Sequence, residues 1–160
     1  MTQQTTNDLK ALLKKDLANL EQLHKVLQGE HEALRNNNAL DLEQAATEKD
    51  RLLKAIRERA KTKIRLLVNL GYHPDSGETP SDFLQKKTGD QVLIELWRNA
   101  QSQLETCQRT NAVNGRIINH MQRRLTRISD IIRGADRNQS LYGKAGETQS
   151  LTHSSVLASA

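Results

Sequence analysis

The chain has 160 residues, enough for one domain and not comfortably for two. Only 2% of residues are aromatic and 36% hydrophobic, which excludes a thick globular core. Leu, Ile and Ala among abundant Glu, Gln, Lys and Arg point instead to long helices packed along narrow seams. The single Cys107 excludes an internal disulfide and suits a reducing compartment. No run approaches the roughly 20 apolar residues that cross a bilayer, and the polar start MTQQTTNDLK lacks the layout of a secretory signal. A soluble, cytoplasmic chain is expected. Its net charge of +5 raises the question of nucleic acid.

Asn7 or Asp8 is positioned to cap a first helix reaching about residue 35. Leu13, Leu20, Leu27 and Leu34 recur every seven residues, and Leu9, Leu12, Leu17, Leu23 and Val26 widen the stripe. That width predicts burial against more than one neighbour. Asn36, Asn37 and Asn38 predict a tight turn, because Asn tolerates the left-handed region. The second helix, about 39–70, has Asn38 as its expected cap and Asp41 in its first turn. Leu42, Ala46, Leu53, Ile56, Ala60, Leu67 and Leu70 carry its seam. Lys49 and Lys63 fall on the same line, with their stems expected over it and their amines in water. Gly71 and Pro74 stop this helix. After the loop-like GYHPDSGETPSD, Thr79 and Pro80 open a short helix, about 80–88, ended by Gly89.

The last helix, about 90–133, is the clearest. Leu93, Trp97, Ala100, Leu104, Cys107, Asn111, Asn114, Ile118, Met121, Leu125, Ile128 and Ile132 follow steps of four and three without a slip. A stop is expected at Gly134, and residues 134–160, rich in Ser, Thr and Gly, read as a flexible, disordered tail. The expected architecture is all-α: an elongated antiparallel three-helix bundle or coiled coil over 1–133, with a short extra helix and that tail. Lengths of roughly 43, 48 and 65 Å leave the end of the last helix without a partner in the chain. Ile117, Ile118, Met121, Leu125, Ile128, Ile131 and Ile132 are therefore the candidate protein-binding residues. Burial in a weak homodimer and burial by a foreign partner both remain open here.

Other features point away from chemistry. His24 and His31 lie seven apart, whereas helical metal pairs prefer four, so they read as partly buried seam histidines. Cys107 reads as a small buried hydrophobe. Gly115 marks a close helix crossing, a local bend or a tolerated substitution. Basic clusters at 49–65 and 109–133 lack interleaved aromatic residues, so no nucleic acid is expected; a solvated face or steering toward an acidic protein partner fits better. No phosphate loop, nucleophile elbow or metal set occurs, so neither an enzyme nor a cofactor is expected.

Three stretches carry a resemblance. Thr47-Glu48-Lys49-Asp50-Arg51-Leu52-Leu53 resembles an E-K-x-x-L-L segment, Asn111, Asn114 and Gly115 an N-x-x-N-G, and Leu141-Tyr142-Gly143 with Gly146 and Thr148 an L-Y-G-x-x-G-x-T tail. Together they are similar to the FlgN family of flagellar type III export chaperones. That resemblance implies a protein that binds hook-associated, filament-junction subunits and prevents their premature assembly. It implies that the end of the long helix and the following tail receive the cargo. It assigns Leu141, Tyr142 and Gly143 to docking on the cytoplasmic domain of the membrane export gate. The competing reading is a self-associating structural coiled-coil protein.

Overall fold

A computed structural model describes the backbone of residues 2–141 and the side chains of residues 3–134. The elements are α1 (Thr2–Asn36), α2 (Ala39–Asn69), a single 3₁₀ turn (Pro74–Ser76), α3 (Pro80–Thr88) and α4 (Gln91–Leu141), with no strand among the described residues. The all-α expectation holds. The chain divides into two units, Met1–Asn119 and His120–Ala160.

The turns follow from local chemistry. Asn37 sits at φ 53°, the left-handed position expected of the Asn36–Asn38 run. The Asn38 side chain accepts from the Asp41 N–H at 3.2 Å and caps α2. At the far end of α2, Gly71 takes φ 102° while the Tyr72 N–H donates to Leu67 O and the Gly71 N–H to Val68 O. These two bonds satisfy carbonyls the helix leaves open. Thr79 caps α3, with Pro80 in its first turn. Asp90 caps α4, its carboxylate accepting from the Leu93 N–H at 3.1 Å.

Two boundaries differ from expectation. α1 begins at Thr2 rather than near Asn7. Thr6, only 4% exposed, extends the heptad line of Leu13, Leu20 and Leu27 by one more buried step, a contribution hidden by its hydroxyl. α4 does not stop at Gly134; it continues to Leu141. A glycine terminates a helix by adopting positive φ, as Gly71 and Gly89 do, and Gly134 does not.

Within the first unit, cross-helix contacts fix the direction of each helix. Asp16 meets Arg59 and Lys63, and Glu30 meets Lys49, so α1 and α2 run antiparallel. Lys10 pairs with Asp90, Cys107 donates to Leu20 O and Asn114 to Leu27 O, so α4 runs parallel to α1. Leu9, Leu13, Leu27, Leu52, Leu67, Leu84, Leu93 and Ile94 are fully buried between them. Ile94 was absent from the four-and-three ladder, yet it is as buried as its neighbour Leu93. Tyr72 is buried too, stacked at a tilt on Phe83 with centroids 5.3 Å apart and its hydroxyl donating to Glu78 O. These contacts tie the 71–79 connection to α3.

Candidate functional site

Lys49 and Lys63 overturn the expectation of amines in water. The Lys63 ammonium meets the Asp16 carboxylate, which also accepts from Arg59 Nε at 2.5 Å, and lies 5.5 Å from the Trp97 ring centre. Lys49 donates to Glu30 at 2.6 Å. Asp16 and Glu30 are 1% and 3% exposed, and a carboxylate at that depth is tolerated only with a charged partner. The sequence reading missed both. A signal existed: Asp16 and Glu30 are two heptads apart, as are Lys49 and Lys63, so antiparallel helices can match both pairs at once.

The Glu30 layer gathers two of the motif stretches. Asn114, fully buried, donates through Nδ2 to Leu27 O at 2.9 Å and to Glu30 at 2.8 Å, while its Oδ1 faces His31 Nδ1 at 3.0 Å. Both amide hydrogens go to acceptors, so the oxygen is left for His31, whose Nδ1 carries the donated hydrogen. Lys49 reaches on to Asn111 Oδ1 at 3.4 Å. Asn111, Asn114 and Lys49 therefore specify the register of α1, α2 and α4. His24 and His31 are both half-buried, as expected. Gly115 has open space where a Cβ would stand, so no close helix crossing explains it. Cys107 is buried, and burial pushes its thiol pKa up, away from the nucleophilic thiolate.

The candidate binding residues divide by exposure. Ile117 and Ile118, in the first unit, and Met121, in the second, are half-buried. Leu125 is 65% exposed, Ile128 51%, Ile131 69% and Ile132 56%. Every described side chain of the second unit is exposed or half-buried, and none is buried. Leu141 closes α4; Tyr142 and Gly143, assigned to the export gate by resemblance, lie outside the described residues.

Little else offers a site. A cavity of about 310 Å³ in the first unit is walled by Leu13, Leu20, Ile56, Trp97 and Leu104. Its charged lining groups, Asp16 and Lys63, neutralise one another. Among the described residues, no three His, Cys, Asp or Glu side chains gather as a metal set, and no helix is long and apolar enough to cross a membrane.

The described residues thus form a helical domain locked by polar layers, and the later part of α4 carries an exposed apolar stripe. A family model described as FlgN protein matches residues 1–150. The chain belongs to the FlgN family, and its role is that of a flagellar export chaperone. No curated protein and no solved structure matches it.

Proposed function

We propose that this protein is a cytoplasmic chaperone that holds hook-associated flagellar subunits on the 117–132 stripe of α4 and delivers them to the export gate through Leu141, Tyr142 and Gly143. The observation that carries this reading is the exposure of Leu125, Ile128, Ile131 and Ile132 on one helix. Such a row is unfavourable in water and gains when a partner helix lies on it. Each large side chain buried contributes about 1.5–3 kcal/mol before ordering costs, so four or five support micromolar or tighter capture. A secreted subunit with an adhesive helical end would thereby be kept from premature assembly. Tyr142, with large apolar area and few rotatable bonds, suits anchoring in a pocket on the gate.

Pull-downs with hook-associated proteins and the gate's cytoplasmic domain test both halves. Leu125→Asp with Ile128→Asp is expected to abolish cargo capture. Tyr142→Ala is expected to spare capture and weaken gate docking. Wild-type binding of both partners by both variants would overturn the proposal. So would light scattering that shows a tight homodimer with the stripe shielded, which is the outcome the self-associating coiled-coil reading requires.

A further inference from the structure

The stripe on the second unit is not electrically neutral. Residues 120–134 hold Arg123, Arg124, Arg127 and Arg133 against the single carboxylate of Asp130, all exposed. None of these five forms an ion pair with a described residue, whereas Asp16, Glu30 and Asp90 of the first unit each hold a cation. Three of the four arginines share one side of the helix, and two of them, Arg124 and Arg127, lie within or next to the apolar stripe. At about 100° per residue, Met121, Leu125, Ile128, Ile131 and Ile132 fall within an arc of about 120°. Arg124 lies inside that arc, between Ile128 and Ile131. His120, Arg127 and Arg123 continue along the same edge. The opposite edge carries the uncharged Ser129 and Gln122, with Arg133 beyond them, about 80° round from Leu125.

Any occupant of the stripe must lie against Arg124 and Arg127. A second copy would add four more arginines for one more aspartate, and like charges at such distances repel. The remaining chain, 135–160, offers Asp136 and Glu147 offset by Arg137 and Lys144, so it brings no surplus of negative charge. Nucleic acid would satisfy the arginines but leave Leu125, Ile128 and Ile132 wet, with no aromatic ring among them for base stacking.

We propose that the Arg123–Arg124–Arg127 edge reads carboxylates, and that the occupant of this stripe is an amphipathic helix of another protein with acidic side chains along one flank of its apolar face. This rests on the cargo reading of the stripe and adds to it a rule for choosing among helices. The guanidinium fork matches a carboxylate in two-point geometry. Apolar contact supplies affinity, and the charge of Arg124 and Arg127, nearer the stripe than Arg133 is on the other edge, fixes the direction in which the partner helix lies.

The test uses the full chain and two synthetic amphipathic helical peptides with identical apolar faces, one with glutamate and one with glutamine at the flanking positions. Fluorescence anisotropy at about 50 mM salt is expected to show the glutamate peptide binding at least fivefold tighter, roughly what two partly exposed ion pairs give. That advantage should vanish at about 500 mM salt, where screening reaches within a few ångströms, and in Arg124→Gln/Arg127→Gln. Equal affinity for the two peptides, both lost in Leu125→Asp/Ile128→Asp, would overturn the carboxylate inference and leave the cargo reading standing. Undiminished binding of both peptides to Leu125→Asp/Ile128→Asp would bring down the cargo reading itself. A DNA duplex that outcompetes the glutamate peptide, or no binding of that peptide at all, would also overturn the inference.

Discussion

Glu30 is satisfied in the interior because Lys49 and Asn114 both donate to it. Removing one partner is more damaging than removing the charges together, since a lone buried carboxylate has lost its solvation without compensation. Lys49→Met is therefore expected to lower stability by about 3 kcal/mol, read from the midpoint of urea unfolding. Glu30→Met with Lys49→Met should cost clearly less than Lys49→Met alone. A double variant that costs the sum of the two single changes would show that the pair is not coupled. Asn114→Leu strips two donors from Leu27 O and Glu30 and belongs to the same class. Leucines at heptad spacing announced the seam of α1, but Asp16 and Glu30 on that seam did not stand out. A polar residue in an apolar row reads as a solvated exception until its partner is known. The partners lie 47 and 19 residues further along the chain, and only the antiparallel packing of α2 brings them there.

Single elements carry two further expectations. α4 accommodates glycine at 115 and 134 without positive φ, and beyond the adjoining residues and the local helix backbone no atom lies within 4 Å of where a Cβ would stand. Nothing in packing requires glycine there. Gly115→Ala should raise stability by about 0.5–1 kcal/mol through the unfolded chain's lost freedom, and a thermal midpoint that falls instead would show that the folded chain needs glycine at this position. At the start of α4, Lys10 and then the Leu93 N–H hold the Asp90 carboxyl below its ordinary pKa. A depressed carboxylate contributes stability above its unfolded pKa and loses it as the pH falls through the folded value. Asp90→Asn keeps a capping side chain but not the Lys10 pair. The wild type should therefore exceed this variant in stability at neutral pH, with the gap closing as the pH drops below about 4; a gap independent of pH would deny the ion pair any part. Element boundaries were legible where a residue's backbone preference decides them, as at Asn37, Gly71 and Pro80. They were misplaced at Gly134, where composition suggested a stop that helix geometry does not need.

At the scale of the whole molecule, the distribution of buried side chains separates stability from binding. The apolar core extends no further along the chain than Cys107, the last buried polar group is Asn114, and no described side chain after it is buried. The second unit therefore adds apolar surface without adding core, and exposing it costs the folded state little because the unfolded chain exposes it as well. A chain ending at Asn119 should keep every layer that fixes α1 against α2 and α4, including Asn114 and its three hydrogen bonds. Its calorimetric midpoint is expected within a few degrees of the full chain, the difference being fraying of the last α4 turn. Capture of hook-associated proteins should be lost altogether, while Leu125→Asp/Ile128→Asp in the full chain should match that loss with an unchanged midpoint. If shortening the chain instead lowered the midpoint by tens of degrees, residues beyond Asn119 would be holding the fold. The wet stripe would then be part of the structure's stability rather than a surface kept free for another protein.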